Sequence, residues 1–161
     1  MRHNLQNMLI VDLELTCWED KDFQEANSEI IEIGVAEVSF VDKKIIRSKS
    51  YLIKPLKSKI SPYCEKLTGI TQELVDTSGV RLERASKLIR KDFGPKHKAW
   101  GGWGDDNQAI KDAFEGKINP FNDNYLNVAQ VYSFIKGEGK KYSLLHALEN
   151  EEICFEGSHH R

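Results

Sequence analysis

The sequence predicts an α/β domain in which a mixed β-sheet is flanked by helices. Three segments, 8–15, 29–40 and 45–55, are rich in apolar and β-branched residues, and the charged turn 41–44 separates the last two. From residue 61 onward, helical patterns alternate with short extended segments. Leading strands followed by such alternation are typical of a mixed sheet covered by helices. The length of 161 residues, 40% of them hydrophobic, predicts a single domain with one sizeable core.

Capping residues mark several of the predicted helices. Ser61, which is followed by proline, and Thr71 predict the first turns of two short helices. The segment 82–93 places its apolar residues on one helical face, and Gly94–Pro95 ends it. The remaining predicted elements are a fourth strand over 96–103, a helix over 108–114, a short strand over 125–128, and helices over 129–136 and 143–150.

Bulk composition excludes several classes of protein. A net charge of −2 and a pI near 6.2 argue against binding nucleic acid through overall charge, but they are compatible with local basic patches. The cysteines Cys17, Cys64 and Cys154 are odd in number and lack zinc-ligand spacing, so neither a disulfide framework nor a structural zinc site is expected. No signal peptide and no membrane-spanning run are recognisable. We therefore expect a cytoplasmic, reduced protein without a membrane partner.

Two carboxylates lie one residue apart in the first predicted strand. Because successive side chains of a strand point to opposite faces, Asp12 and Glu14 share one face. Two carboxylates on one face repel each other unless a divalent cation lies between them. The spacing therefore fits a metal site, and it also fits an edge strand whose polar face meets solvent.

Two further groups of polar residues are candidates for chemistry. Asp105 and Asp106 follow the predicted fourth strand and open a helix, where carboxylates also serve as caps for the first backbone N–H groups. His159 and His160 lie at the carboxyl end, where a histidine pair is also typical of a tail or a purification tag. Neither group indicates catalysis by itself.

Taken together and in order, these motifs resemble a known family. The segments “DLELT” (12–16), “EIIEIG” (29–34), “LTGIT” (67–71), “WGDD” (103–106) and “FEGSHHR” (155–161) are similar to the DEDDh class of 3′–5′ exonucleases, which includes RNase T and DNA polymerase III epsilon-like proteins. The similarity is strongest to its Eri-type branch, to which the 3′ exonuclease of histone mRNA belongs. The resemblance implies a ribonuclease H-like fold for a single exonuclease domain.

The resemblance also implies a catalytic site. Asp12 and Glu14 are expected to bind two divalent cations, Mg²⁺ or Mn²⁺, with Asp12 bridging them. The third acid is expected to be Asp106, since Ile110 supplies the apolar residue that the family has four positions later. His160 is expected to be the general base, because a neutral imidazole accepts a proton near neutral pH. The implied substrates are 3′ ends of single-stranded RNA or DNA, and the implied products are nucleoside 5′-monophosphates.

Residues that contact the substrate are expected in two segments. Leu15, Thr16 and Trp18 follow the Asp-x-Glu strand, and a tryptophan there serves either to stack on a base or to pack against the protein. The second segment, 67–71, either contacts the terminal nucleotide or forms a tight turn that requires its glycine. The expected contact residues of that segment are Leu67, Thr68 and Ile70. The basic stretch 81–98 fits either phosphate contact or a solvated helix face.

The sequence departs from the family at its carboxyl end. The family places its last carboxylate five residues after the catalytic histidine, on a final helix, whereas this sequence ends at Arg161. We therefore expect that the domain, residues 1–161, is truncated just after His160 and lacks the C-terminal helix. The alternative is a natural short form that binds metal poorly.

Two other functions fit parts of the sequence. A catalytically impaired module of the same fold would bind nucleic acid or regulate without cutting. A haloacid dehalogenase-type phosphotransferase is suggested by “IVDLELT” and “GDD”, but it requires aspartate in place of Glu14 and leaves “LTGIT” unexplained. The sequence leaves RNA and DNA as alternative substrates, because that choice depends on whether a 2′-hydroxyl is recognised.

Overall fold

The computed structural model describes residues 6–20, 22, 28–137 and 139–154. The strands are β1 (Asn7–Leu15), β2 (Ile30–Ser39), β3 (Lys44–Leu52), β4 (Trp100–Gly102) and β5 (Tyr125–Asn127). The helices are α1 (Pro62–Thr68), α2 (Gln72–Ser78), α3 (Leu82–Phe93), α4 (Asp106–Ala113), α5 (Val128–Lys136) and α6 (Leu144–Asn150), with a 3₁₀ turn at Pro95–His97. The segment 18–28, whose charged and short polar residues predict a loop, lies partly outside the described residues, and His159 and His160 lie wholly outside them.

The five strands form one mixed sheet in the order β3-β2-β1-β4-β5. β1 pairs antiparallel with β2, and β2 pairs antiparallel with β3. β4 pairs in parallel with both β1 and β5. The predicted mixed sheet flanked by helices is therefore confirmed. Because β1 is the central strand, the interpretation of its carboxylates as the polar face of an edge strand is wrong.

The fourth strand is shorter than the sequence predicts. The apolar and aromatic pattern predicts a strand over 96–103, but β4 covers only Trp100–Gly102. Gly94 ends α3 in the left-handed conformation at φ 57° and leads directly into the 3₁₀ turn. That turn holds Lys98 by a 3.2 Å hydrogen bond from its N–H to the carbonyl of Pro95, so pairing with β1 begins only afterwards.

The two faces of β1 have different surroundings. Leu9, Val11 and Leu13 point into the main core, where α3 and α4 cover the sheet. Asp12 and Glu14 point to the other face. Trp100 of β4 is fully buried in the core, whereas Trp103 is half-buried.

Capping explains why α1 and α2 begin where they do. The Ser61 hydroxyl accepts a 2.9 Å hydrogen bond from the N–H of Cys64, and the Thr71 hydroxyl accepts a 3.0 Å bond from the N–H of Leu74. Gly69 ends α1 at φ 72°, a conformation that favours glycine. Both predicted caps are confirmed. Within the described part of the chain, no helix combines the length and the apolar character that crossing a bilayer requires.

A second apolar cluster packs α1 and α2 against the end of the β1–β2 pair. Its buried members are Cys17, Ile31, Cys64, Ile70 and Val75. The Ser61 hydroxyl also donates a 2.6 Å hydrogen bond to the carbonyl of Cys17. This cluster therefore fixes the chain that follows β1 beside α1.

Glu37 of β2 carries a buried charge near the amino-terminal end of β1. It lies opposite Leu9, its side chain is 5% exposed, and its carboxylate pairs with Arg47 at 2.6 Å and Lys98 at 2.7 Å. Burial raises the pKa of Glu37, but hydrogen bonds from Lys98, Arg47 and Asn7 outweigh burial and lower that pKa below its ordinary value of 4.5.

We expect Glu37→Gln to lower the free energy of unfolding by about 2 kcal/mol at neutral pH, because both cations lose their partner but remain partly in water. A carboxylate with a lowered pKa stabilises the fold above its unfolded pKa, and this contribution is lost as pH falls through the folded pKa. The difference between the wild type and the variant, measured by urea titration, should therefore shrink as the pH falls below the ordinary pKa of 4.5 and through the lowered pKa of Glu37. The exposed Glu115→Gln is the matched control. An equal loss in both variants would contradict the prediction.

Candidate active site

The carboxylate pair of β1 lies on the face opposite the main core. Asp12 is exposed and faces Gly34 of β2, whereas Glu14 is only 6% exposed and faces Glu32. A side chain at Gly34 would begin 4.0 Å from the Cβ of Asp12. Glycine therefore leaves open space beside Asp12, while Glu14 is held in a fixed, buried position.

Asp106 approaches this pair from the neighbouring strand. β4 runs parallel to β1, with Trp100 opposite Leu9, so the carboxyl ends of both strands lie at the same edge of the sheet. α4 begins at Asp106, four residues after β4 ends at Gly102. A Cβ added to Gly102 would lie 2.6 Å from Oδ2 of Asp106 and 2.8 Å from the carbonyl oxygen of Val11. The Asp106 carboxylate therefore lies against the bare backbone of Gly102, beside the residue that precedes Asp12.

Asp105 has a different position. It is exposed, and the Asn127 side-chain amide donates to its Oδ1 at 3.4 Å. It precedes α4, but within the described part of the chain its side chain makes no capping hydrogen bond to that helix. The cap interpretation therefore does not hold for Asp105. Of the two adjacent aspartates, Asp106 is the one whose carboxylate is turned toward β1.

The pKa of the Tyr125 hydroxyl responds to the negative charge at this edge of the sheet. The hydroxyl donates a 2.6 Å hydrogen bond to the carbonyl of Gly104. Burial, followed by the charges of Asp106 and Asp105, raises the pKa of Tyr125 to about 12. The two aspartates therefore place concentrated negative charge where the parallel strands end, which favours a cation there.

The residues that follow β1 are firmly anchored. Thr16 is buried, and its hydroxyl accepts a 2.9 Å hydrogen bond from the N–H of Glu29. Leu15 is half-buried and packs against the main core, and Trp18 is also half-buried. Contact of Leu15, Thr16 and Trp18 with substrate stays a prediction, but the Thr16 hydroxyl already ties the end of β1 to the start of β2.

The α1–α2 turn lies beside this segment. The Thr68 hydroxyl donates to the carbonyl of Cys64 at 2.9 Å and accepts from the N–H of Ile70 at 3.1 Å. Thr68 and Ile70 are buried, whereas Leu67 is half-buried and packs on the second cluster. Because the Cys64 thiol donates to the carbonyl of Leu15 at 3.5 Å, the two predicted substrate segments are neighbours. Their contact with a nucleotide stays a prediction.

Glu29 has a role that the sequence did not indicate. Its carboxylate accepts hydrogen bonds of 2.7–2.9 Å from the backbone N–H groups of residues 56–58 and one of 2.6 Å from the Ser58 hydroxyl. Burial raises the pKa of Glu29, but these bonds outweigh it and lower that pKa. Glu29 therefore fastens the segment after β3 to the start of β2, next to Thr16. The only sequence feature that could have pointed to this role is that Glu29 is the first residue of the motif “EIIEIG”.

Carboxylate oxygens are the ligands that Mg²⁺ and Mn²⁺ prefer, so Asp12, Glu14 and Asp106 fit divalent cations by chemistry. The bare backbone at Gly102 leaves room for the Asp106 carboxylate beside β1. Within the described ranges, no three His, Cys, Asp or Glu side chains already stand close enough together to hold a metal ion. The predicted base, His160, lies outside the described residues.

The sheet order β3-β2-β1-β4-β5 with flanking helices defines a domain of the ribonuclease H-like fold. The exonuclease (RNase T) family model matches residues 9–160, and the chain belongs to this family, whose DEDDh members depend on divalent metal ions. Two relatives are the 3′-5′ exonuclease eri1 of Schizosaccharomyces pombe and the 3′-5′ exonuclease Snipper of Drosophila melanogaster. The first is 36% identical over 86 residues, which are 53% of this chain and 29% of the relative. The second is 40% identical over 88 residues, which are 52% of this chain and 30% of the relative.

Solved structures confirm the fold. The nuclease domain of 3′hExo, a DEDDh family member bound to rAMP, matches with a TM-score of 0.78 and 23% identity over 98% of this chain and 84% of that chain. A 3′-exonuclease in 3′-end specific recognition of a histone mRNA stem-loop matches with a TM-score of 0.77 and 22% identity over 98% of this chain and 58% of that chain. The predicted Eri-type, ribonuclease H-like family is therefore confirmed.

Proposed function

We propose that the protein removes nucleotides from the 3′ end of single-stranded RNA and releases nucleoside 5′-monophosphates. The observation that carries this proposal is that Asp12 and Glu14 share one face of β1, while the Asp106 carboxylate lies at the adjacent end of β4, near the carbonyl of Val11. The names of its relatives support the direction of cleavage, and the ERI1 exoribonuclease 2 of Danio rerio, 32% identical over 87 residues, supports RNA as the substrate.

Asp12, Glu14 and Asp106 would hold two Mg²⁺ or Mn²⁺ ions. Such a pair, when bound, stabilises the attacking and the leaving oxygen of an in-line displacement at phosphorus. Asp12 is exposed and would be accessible to the cations, whereas buried Glu14 would supply a charge of fixed position. His160 would accept the proton of the attacking water.

The substrate end would lie between the two anchored segments. Leu15, Thr16 and Trp18 follow the carboxylates of β1 along the chain, and the α1–α2 turn with Leu67, Thr68 and Ile70 lies beside that segment. Because Thr68 and Ile70 are buried, their contribution would be to shape the turn, and Leu67 and Trp18 offer the accessible apolar surface.

The test is an incubation of 5′-labelled RNA and DNA of one sequence with the longest form of the protein that its messenger RNA encodes. With Mg²⁺ or Mn²⁺, we expect a ladder that shortens from the 3′ end, faster for RNA, and no ladder with chelator. Circular RNA of the same sequence should stay intact, because it has no end. Cleavage of the circle would contradict the proposal. Tight binding of 3′ ends without hydrolysis would instead favour the impaired binding module.

A further inference from the structure

A cavity of about 630 Å³ opens beside the Asp105 turn, on the β5 side of the carboxylates. It lies between the turn that follows β4, the helix α5 and the segment 139–143. Asp105 is one of its lining residues, and the next residue in sequence is Asp106. The cavity therefore lies beside the start of α4, where the Asp106 carboxylate is proposed to act. Cavities of this size are typical of ligand sites.

Aromatic packing holds the walls of the cavity in place. The Trp103 indole N–H donates a 3.1 Å hydrogen bond to the carbonyl of Tyr142. The ring of Tyr132 lies 5.8 Å from that of Trp103 and 5.2 Å from that of Tyr142. Tyr142 is buried, so these contacts fix the segment 139–143 against the turn after β4. The cavity is therefore preformed.

Its mouth combines an exposed aromatic ring with positive charge. Phe134 of α5 lines the cavity and is 86% exposed. Lys140 and Lys141 also line the cavity, and Asp105 is the one carboxylate among the described lining residues. The exposed Phe134 ring is therefore available to a ligand that enters the cavity.

We propose that this cavity binds the single strand that leads to the 3′ end, with a nucleobase stacked on Phe134 and phosphates near Lys140 and Lys141. The inference rests on the proposed function, since it concerns the nucleotides that precede the one being removed. Exposed aromatic rings beside lysines are the features with which proteins hold single-stranded nucleic acid without sequence preference. A purely apolar peptide would use the ring but would bring no negative charge to Lys140 and Lys141.

The test measures RNA affinity by fluorescence anisotropy in chelator, where nothing is cleaved. Phe134→Ala should weaken binding of an RNA of about eight nucleotides roughly tenfold, because one stacking contact is lost. Affinity for a dinucleotide, which is too short to reach the cavity, should not change. Phe134→Trp should restore binding. Ile135→Ala is the matched control, because Ile135 is the next residue of α5, is 72% exposed and lies outside the lining.

The lysines are tested by salt dependence. Lys140→Ala and Lys141→Ala should each reduce the slope of log affinity against log salt by about 0.7, the value for one phosphate contact on a single strand. Lys44→Ala changes an exposed lysine on the edge strand β3, at the other side of the sheet from β5, and should leave the slope unchanged. Unchanged slopes in the Lys140 and Lys141 variants would overturn the inference. An equal loss of affinity for the dinucleotide and for the longer RNA in Phe134→Ala would also overturn it.

The outcomes separate this inference from the function on which it rests. If the dinucleotide is cleaved with Mg²⁺ and Phe134→Ala binds long RNA normally, the strand site is wrong and the exonuclease function stands. If no RNA is cleaved but the contrast between Phe134→Ala and Ile135→Ala appears, the strand site stands and the hydrolysis is wrong. A peptide that displaces bound RNA only from the wild type would show that a protein partner shares the cavity and would overturn its assignment to RNA alone.

Discussion

Asp12→Asn is expected to reduce the rate of RNA cleavage by about a thousandfold while the protein stays folded. Asp12 is exposed on the open face of the central strand, so the amide is accommodated without burying a new polar group. The lost charge is the one proposed to bridge the two cations, and a loss of about 4 kcal/mol of transition-state stabilisation corresponds to this factor. Single-turnover cleavage with excess protein measures the chemical step, and thermal unfolding measures the fold.

Asp123→Asn is the matched control for this change. Asp123 is an exposed aspartate in the loop before β5, away from the carboxyl ends of β1 and β4. The Asp123→Asn variant should retain full cleavage activity. A rate for Asp12→Asn above about a tenth of the wild-type rate would mean that the activation free energy rises by less than about 1.4 kcal/mol. In that case Asp12 would not bridge the cations.

Gly102→Ala is expected to reduce cleavage by about a hundredfold, because a displacement of about 1 Å at a catalytic group is enough for this loss. The added Cβ would lie 2.6 Å from Oδ2 of Asp106 and 2.8 Å from the carbonyl of Val11. Either the Asp106 carboxylate moves away or β4 moves away from β1, and both changes separate Asp106 from Asp12. Overpacking of this kind also costs about 1–3 kcal/mol of stability, which urea unfolding measures.

Gly101→Ala separates the effect on the site from the effect on stability. Its added Cβ would lie 2.3 Å from the carbonyl of Leu126 and 2.5 Å from Cε of Met8, so the steric conflict is as severe. That conflict affects the β4–β5 pairing and does not touch Asp106. At a temperature where both variants are folded, Gly102→Ala should be the slower enzyme. Equal activities would contradict the role assigned to Gly102.

Local signals in the sequence were sufficient for much of the fold. The caps at Ser61 and Thr71, the amphipathic pattern of α3 and the hairpin of β2 and β3 all depend on neighbours within a few residues. The same holds for the common face of Asp12 and Glu14, which follows from the alternation of a strand. These features could therefore be predicted before the tertiary structure was known.

Other features depend on contacts between distant segments. That β1 is central follows only from its pairing with both β2 and β4. The sequence did not reveal that Gly102 makes room for Asp106, because a glycine in “WGGWGDD” is compatible with any tight turn. The burial of Thr68 and Ile70 likewise results from the packing of α1 and α2 on the sheet, which a short motif does not encode.

The most direct measurement identifies the first product released from RNA that carries its label in the 3′-terminal nucleotide. With Mg²⁺ present, the label should appear first in a nucleoside 5′-monophosphate, before any longer fragment, and Asp12→Asn should release none over the same time. This result would establish a metal-dependent exonuclease that starts at the 3′ end. Release of the label as a nucleoside 3′-monophosphate or within an oligonucleotide, or release that persists in chelator, would contradict the assignment of the carboxylates of β1 and β4 to this reaction.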